Sequence, residues 1–309
     1  MTRVLLVGGS GMLGHRLALE LAGRAGLDVH VTVRRPVPEP FRAVGVRYYD
    51  GVDLGSGSGP IARLLGELAP DVVLNAVGAI KQKDLAANVD QSFFLNGVLP
   101  HSLALLNPNP AARVVHVSTD CVFRGNRGGY RQDEPPDAED LYGRSKAMGE
   151  LTYGRHLTLR TSIIGFELAG HLGLVSWFFR QRSGSRLPGY TAARYSGLTT
   201  GALSRTIADL LAGSPPRFPS GTWHLASVPI SKFDLLGRLN AAFGLMHTLV
   251  PDDSVRVDRT LDDTPWRQLT GTARPVWSDL VDDLLADWKR RPYAALYAAL
   301  RPAAGAVHA

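Results

Sequence analysis

The sequence has 309 residues, of which 45% are hydrophobic and 20% are charged, a composition ordinary for a globular enzyme with a sizeable core. Its 34 Lys and Arg residues against 28 Asp and Glu residues give a net charge of +6, but the basic residues are scattered, so we expect no nucleic-acid partner. The single cysteine excludes an internal disulfide, and the histidines lack metal-ligand spacing, so we expect no metal. No apolar run reaches the roughly 20 residues of a membrane span. We therefore expect a cytoplasmic protein with no membrane partner.

The amino-terminal half of the chain alternates short apolar runs with longer helical patterns. Strands are predicted at Val4–Val7, Val29–Val33, Val46–Tyr49, Asp71–Val77, Arg113–Val117 and Thr158–Ile164, and the first helix from Leu13 to about Ala25. Apolar strands that alternate with helices predict a parallel sheet covered on both faces. We therefore expect an α/β Rossmann fold, a doubly wound parallel sheet whose ligand crevice lies at the carboxyl ends of the strands.

A glycine-rich loop follows the first predicted strand and opens the first helix. Its sequence is Gly8-Gly9-Ser10-Gly11-Met12-Leu13-Gly14. Glycines at these spacings permit a tight turn and a close approach of the backbone to a pyrophosphate, and the helix N-terminus supplies oriented N–H donors. We expect this loop to bind a dinucleotide through Gly8, Ser10, Gly11, Met12, Leu13 and Gly14.

Two arginines, Arg34 and Arg35, follow the second predicted strand. Folds that are specific for NAD usually carry an acidic residue there for the ribose 2′-hydroxyl. Guanidinium groups suit a 2′-phosphate, which they bind bidentately. The expected cofactor is therefore NADP(H), with NAD(H) as the alternative.

Tyr142 and Lys146 lie four residues apart, which places both on one face of a predicted helix. The tyrosine pKa of about 10 is too high for proton transfer at neutral pH, and a neighbouring ammonium is expected to lower it. Thr119 ends a predicted strand and is positioned to hydrogen-bond a reacting carbonyl oxygen. We predict that Thr119, Tyr142 and Lys146 are the catalytic residues.

With these motifs the chain resembles the extended short-chain dehydrogenase/reductases, and among them the dTDP-4-dehydrorhamnose reductase family. The resemblance depends on the segments Gly8–Gly14, Asn75–Gly78, Asn96, Ser118–Phe123, Tyr142–Lys146 with Gly149-Glu150, and Leu159–Ser162. It implies NADPH-dependent reduction of a 4-keto group on a nucleoside-diphospho-6-deoxy sugar. It also implies that Tyr142 donates the proton, that Lys146 holds the nicotinamide ribose and that Thr119 orients the ketone.

The same resemblance implies further cofactor contacts. Asp53 and Leu54 would touch the adenine, and Thr161 would lie near the nicotinamide. The remaining cofactor residues would be Asn75, Ala76, Val77, Gly78, Asn96 and Ser118.

Beyond Gly165 the pattern becomes irregular and rich in turns, which indicates a smaller C-terminal substrate-binding lobe. A helix at Leu203–Leu211 and a strand at Thr222–Ala226 are predicted to return to the sheet. The NADP(H)-binding Rossmann domain is therefore predicted to span residues 1–165 and about 196–226. The sugar-nucleotide-binding lobe is predicted to span residues about 166–195 and 227–309.

The chain departs from the family pattern at Cys121, where the reductases usually carry a second tyrosine. We interpret Cys121 as a small buried residue at a strand end, with a role in shaping the substrate pocket as the alternative. A nucleophilic role is disfavoured because no obvious base accompanies the thiol. The residues expected to contact the substrate are Asp120, Cys121, Phe123, Trp177, Arg180 and Tyr190.

Proteins of the same fold have three other functions that must be weighed against a reductase. A 4,6-dehydratase is disfavoured because Cys121 stands where those enzymes carry an acidic Glu. A sugar-nucleotide epimerase, or a non-catalytic regulatory subunit that binds dinucleotide, remains an alternative. The expected partner is a nucleotide sugar, and a homodimer is the expected assembly.

Overall fold

A computed structural model describes residues 1–55, 57–79, 89–169, 172–213 and 218–299. The strands are β1 (Thr2–Val7), β2 (Leu27–Thr32), β3 (Arg47–Tyr49), β4 (Val72–Asn75), β5 (Arg113–Thr119), β6 (Leu157–Thr161), β7 (Ile163–Ile164), β8 (Arg186–Tyr190), β9 (Ala193–Tyr195), β10 (Leu198–Thr199), β11 (Gly221–His224), β12 (Ile230–Ser231), β13 (Thr248–Asp252) and β14 (Val257–Asp258). The α-helices are α1 (Met12–Ala22), α2 (Gly59–Leu68), α3 (Val89–Phe93), α4 (Leu99–Leu105), α5 (Leu141–Met148), α6 (Leu174–Arg180), α7 (Thr200–Leu211), α8 (Lys232–Phe243), α9 (Thr264–Thr270), α10 (Trp277–Arg290) and α11 (Tyr293–Ala299). A π-helical turn, Phe94–Val98, joins α3 to α4, and 3-10 turns occur at Glu39–Phe41 and Asp120–Val122.

The central sheet has seven strands in the order β11-β6-β5-β4-β1-β2-β3. Every neighbouring pair in it is parallel. The carboxyl ends of the strands therefore meet along one edge, as the predicted Rossmann fold requires. The fold prediction is confirmed.

Both faces of this sheet are buried, which explains its continuous apolar strands. Along β1, Val4 and Leu6 belong to one apolar cluster, whereas Leu5 and Val7 belong to a second. The first cluster continues through Leu203 of α7 and Leu284 of α10. The sheet and the C-terminal part of the chain thus share one core.

Several predicted elements have different bounds in the structure. The first helix ends at Ala22, with Gly23 as its C-cap, and β4 ends at Asn75. The strand predicted at Thr158–Ile164 divides at Ser162, because β7 leaves the sheet and pairs with β10. The predicted return to the sheet does occur, since β11 pairs with β6 along its outer edge.

The C-terminal part forms small sheets of its own next to the main one. Strand β9 lies between β12 and β14, and β8 pairs with β13. Isolated bridges join Asn126 to Asp258 and Tyr130 to Leu261, so this part contacts the loop that follows β5. The two-domain partition stays a prediction, and its residues 300–309 lie outside the described residues. No helix in the described part is long and apolar enough to cross a membrane.

Candidate active site

The glycine loop is folded tightly between β1 and α1. Gly8 has a φ of +96°, and a Cβ at Gly14 would collide with the carbonyl oxygen of Gly8. Gly11 is the N-cap of α1 and offers no side chain to the first-turn amides. The N–H groups of the first helical turn are thus left for a ligand, as the loop prediction expects.

The two arginines lie at the edge where β2 ends. Arg34 and Arg35 are exposed, and neither forms an ion pair with any described residue. Nearby, Asp53 is exposed and accepts a hydrogen bond from Gly55 N–H at 2.9 Å, whereas Leu54 is buried. A ligand extending from the glycine loop past the end of β2 would meet two free guanidinium groups.

Thr119 and Tyr142 lie together at the carboxyl end of β5. The Tyr142 hydroxyl lies close enough to Thr119 for the threonine to lower the pKa of the phenol. The Thr119 hydroxyl also accepts from Cys121 N–H at 3.1 Å and donates to Asp120 Oδ1 at 3.2 Å. The threonine hydroxyl is thus held beside the phenol with its single proton directed at Asp120, and it can donate to a ketone oxygen only after it turns away from that carboxylate.

Local sequence fixes the position of α5, the helix that carries Tyr142. Asp140 caps it by accepting from Gly143 N–H at 2.8 Å. A Cβ at Gly143 would collide with the carbonyl oxygen of Cys121. The glycine that follows the tyrosine therefore lets α5 approach the turn after β5.

Lys146 lies one helical turn after Tyr142 and is 4% exposed. Its Nζ donates to the carbonyl of Val117 at 2.8 Å and lies 3.4 Å from His116 Nε2. Burial lowers the pKa of Lys146 to about 8, although the charge of Glu150 opposes this. The lysine therefore titrates much closer to neutral pH than an exposed lysine.

The expected effect of Lys146 on Tyr142 is not found. Burial raises the pKa of Tyr142, and the charges of Cys121, Asp120 and Asp140 raise it further, whereas the interaction with Thr119 lowers it. The Lys146 amine is instead turned toward Val117 and His116. Tyr142 is therefore protonated at neutral pH, which is the form that donates a proton.

Asn75 and Asn96 support the centre of the site. Asn75 is buried at the end of β4, where its Oδ1 accepts from Val77 N–H at 3.1 Å. Asn96 lies in the π-helical turn, bonds both backbone groups of Ala79 and donates to Ser145 Oγ at 3.1 Å. π-Helical turns are frequent at functional sites because they re-aim side chains within a helix.

The other predicted cofactor residues surround this centre. Ala76 N–H donates to Val7 O, and the side chain of Val77 lies against Gly8. Gly78 is exposed, with the Asn96 amide and the Lys146 amine next to it. Thr161 is buried at the end of β6 and donates to Ser162 O.

Ser118 points away from this edge of the sheet. Its hydroxyl donates to Glu150 Oε1 at 2.8 Å, and Glu150 also forms a buried ion pair with Arg160. The Ser118 side chain, which was expected at the cofactor, instead bonds Glu150 just after the end of α5. Only the backbone of Ser118 remains available to a ligand.

Asp120 and Cys121 occupy the expected position beside Tyr142. Burial raises the pKa of Asp120, opposed by the positive charge of Arg259 among others. Burial and Asp120 raise the pKa of Cys121 to about 12, so its thiol stays protonated and is no nucleophile.

Phe123 belongs to the core and has no exposed surface. Its ring stacks on Tyr130 with a centroid distance of 4.3 Å and lies under the guanidinium of Arg160. The 3-10 turn at Asp120–Val122 directs the ring inward, so the structure gives the predicted substrate residue a packing role. Trp177, Arg180 and Tyr190 are partly buried, and Arg180 Nε has no hydrogen-bond partner among the described residues.

Comparison with known proteins assigns the chain to a family. The RmlD substrate binding domain matches residues 1–235. The chain belongs to this family. It is similar to the spore coat polysaccharide biosynthesis protein SpsK of Bacillus subtilis, with 30% identity over 167 residues that cover 52% of this chain and 53%, about half, of the relative. It is also similar to the dTDP-4-dehydrorhamnose reductase of Burkholderia thailandensis, with 29% identity over 244 residues that cover 73% and 72% of the two chains.

The solved structures show the same fold. The crystal structure of dTDP-4-dehydrorhamnose reductase from Bacillus anthracis in complex with NADP has a TM-score of 0.76 and 18% identity, covering 93% of this chain and 99% of that one. Together with the family match, this confirms an extended short-chain dehydrogenase/reductase like the dTDP-4-dehydrorhamnose reductases.

This member of the RmlD family carries site residues that the sequence motifs did not predict. Tyr195 of β9 is 7% exposed, and its hydroxyl has no hydrogen-bond partner among the described residues. Burial and the charge of Asp120 raise its pKa. Arg259 and Lys232 act electrostatically on the same carboxylate. No local sequence motif marks Tyr195 as a neighbour of Asp120, because the two residues are far apart in sequence and only the fold brings them together.

Proposed function

We propose that this protein reduces the 4-keto group of a nucleoside-diphospho-6-deoxy sugar with NADPH. The observation that carries the proposal is the proximity of Tyr142 and Thr119 at the carboxyl end of β5, with Lys146 one turn further along α5. The protonated phenol of Tyr142 and the adjacent hydroxyl of Thr119 form a site that can donate a proton to a ketone oxygen as negative charge develops there.

The residues present fit a phosphorylated dinucleotide. The backbone of Gly8 leaves no room for a Cβ at Gly14, and the first turn of α1 has no side-chain cap, as a pyrophosphate-binding turn requires. Arg34 and Arg35 lie exposed beyond β2 without an ion pair to any described residue, where they would hold a 2′-phosphate. When bound, the dihydronicotinamide supplies the hydride. The Bacillus anthracis relative binds NADP, which supports the same cofactor here.

The chain's own residues would then complete the reduction. Thr119 turns its hydroxyl proton from Asp120 Oδ1 to the ketone oxygen and so holds that oxygen beside the Tyr142 hydroxyl. Tyr142 gives its proton to the oxygen as negative charge develops there, and becomes a phenolate. The buried amine of Lys146, on the same face of α5, orients the neighbouring ribose.

The substrate is proposed to lie against the C-terminal strands. The buried hydroxyl of Tyr195 and the carboxylate of Asp120 face the same region, and they suit the hydroxyl groups of a sugar. The positive charges of Arg259 and Lys232, felt at Asp120, suit a diphosphate. The Burkholderia thailandensis relative is a dTDP-4-dehydrorhamnose reductase, which supports a 4-keto sugar.

The deciding experiment is NADPH oxidation with a panel of dTDP-, UDP- and GDP-linked 4-keto-6-deoxy sugars. Tyr142→Phe should reduce turnover on the order of 100- to 10,000-fold while NADPH binding persists. Tyr153→Phe is the matched control, since this exposed tyrosine bonds His101 outside the site. Tight NADPH binding without turnover on any sugar would instead favour an epimerase or a regulatory subunit.

The proposal includes the cytoplasm as the compartment and a homodimer as the assembly. Cell fractionation tests the first of these. Light scattering of the purified protein tests the second.

A further inference from the structure

A line of buried hydrogen bonds runs from the backbone of Val77 to the amine of Lys146. Asn75 Oδ1 accepts from Val77 N–H at 3.1 Å, Asn75 Nδ2 lies 3.1 Å from His116 Nδ1, and His116 Nε2 lies 3.4 Å from Lys146 Nζ. The three side chains are at most 4% exposed. Asn75 and His116 meet because they are paired in the register of β4 and β5.

The bond from Val77 N–H to Asn75 Oδ1 fixes which atoms donate and which accept along this line. The amide of Val77 can only donate, so the carbonyl of Asn75 faces Val77 and its NH₂ group faces His116. A ring nitrogen that receives an amide N–H carries no proton, so His116 Nδ1 is the acceptor. Burial and the charge of Lys146 hold the pKa of His116 well below its usual value, so the ring is neutral. Its one proton therefore lies on Nε2, facing Lys146.

An N–H donor aimed at an amine favours the form of the amine that has a lone pair. The other hydrogen-bond partner of Lys146, the carbonyl of Val117, accepts equally from an ammonium or from a neutral amine. We propose that His116, oriented by Asn75, is a positioning residue that directs an N–H donor at Lys146 and favours its neutral amine near physiological pH. The catalytic consequence of this rests on the proposed function, but the titration itself belongs to the free protein.

Other charged and titratable groups also face this lysine. Tyr142 lies one turn before it on α5, and Glu150, just beyond the C-cap of this helix, favours the ammonium. The carboxylate of Glu150 is held by Ser118 and Arg160. At the end of β5 lies Asp120, and on α4 lies His101, whose charge acts on His116. All of these groups remain in His116→Leu, so a change in the Lys146 titration of that variant reports on the His116 donor.

The test follows the lysine directly by NMR. The chain has five lysines, Lys81, Lys83, Lys146, Lys232 and Lys289, so ¹³C labelling of the lysine ε-carbons gives few signals, and Lys146→Met assigns the relevant one. In the wild type we expect this signal to titrate at a pH of about 8. His116→Leu should raise that midpoint by about 0.5 to 1 pH unit, the equivalent of one lost hydrogen bond.

A second variant reverses the direction of the line. In Asn75→Asp a carboxylate would accept from Nδ1–H, which leaves Nε2 to accept from the Lys146 ammonium. Imidazole ¹⁵N shifts should therefore show the Nε2–H tautomer of His116 in the wild type and the Nδ1–H tautomer in Asn75→Asp. The control is His30→Leu, which removes another buried histidine, bonded to Tyr49, and should leave the Lys146 midpoint unchanged.

Two results would overturn the proposal. One is an Nδ1–H tautomer of His116 in the wild type, and the other is an unchanged Lys146 midpoint in His116→Leu. If His116→Leu does not fold, the wild-type tautomer still decides. Since no sugar is used, a failure here is distinct from a failure of the proposed reduction, which appears as absent turnover.

Discussion

Glu150 and Arg160 form a two-pronged ion pair beneath the helix that carries Tyr142. Arg160 Nε and Nη2 each donate to a different carboxylate oxygen at 2.8 Å, and the two side chains are 3% and 5% exposed. The pair connects the end of α5 to β6, and Ser118 connects it to β5. A buried, fully bonded pair of this kind holds a helix in register with the sheet below it.

Replacing Glu150 with leucine should therefore strongly destabilise the protein. The substitution leaves the Arg160 guanidinium buried without its counter-charge, which costs about 3–5 kcal/mol. Urea unfolding followed by circular dichroism measures the loss. The control is Asp209→Asn, which breaks the more exposed Arg24–Asp209 pair and should cost less than about 1 kcal/mol. Equal losses in the two variants would show that the buried pair has no special role.

The sequence motifs predicted the sheet, the glycine loop and the Tyr142–Lys146 helix, because these depend on local periodicity and spacing. The role of His116 was not predicted, since its contact with Asn75 depends on the order and register of β4 and β5. Phe123 was expected at the substrate because it lies near Thr119 in sequence, but the 3-10 turn between them directs it into the core. Tyr195 was missed because only the folded chain brings it near Asp120.

Removing the two arginines beyond β2 should weaken NADPH binding selectively. In Arg34→Gln/Arg35→Gln the loss of charge-assisted hydrogen bonds to the 2′-phosphate should raise the NADPH Kd about 10- to 100-fold. NADH lacks that phosphate, so its Kd should stay unchanged. Fluorescence titration of both cofactors makes the comparison, and Arg63→Gln on the exposed side of α2 controls for net charge. Equal weakening for both cofactors would mean that the arginines do not bind the 2′-phosphate.

Tyr195→Phe should affect substrate binding without destabilising the fold. Its buried hydroxyl has no partner among the described residues, so its removal should leave the unfolding free energy unchanged or slightly raised. If the hydroxyl binds the sugar, the KM for the keto sugar should rise about 3- to 10-fold while the NADPH Kd stays constant. Initial-rate kinetics and urea unfolding together measure these effects. An unchanged KM with a lower stability would place the hydroxyl in a structural role instead.

Lys146→Met should stabilise the protein at neutral pH, although it removes a proposed catalytic residue. The pKa of Lys146 falls from 10.5 to about 8 in the folded state, which corresponds to a cost of roughly 3 kcal/mol for keeping a buried ammonium at pH 7. Between pH 8 and 10.5 the unfolded chain holds a proton that the folded chain has lost, so wild-type stability gains from this group as the pH rises. The advantage of Lys146→Met should thus be largest below pH 8 and shrink toward pH 10. Urea unfolding of both proteins across this pH range measures the difference between their unfolding free energies. The other titrating groups are the same in both proteins, so their contributions cancel. A difference independent of pH would contradict the lowered pKa of Lys146.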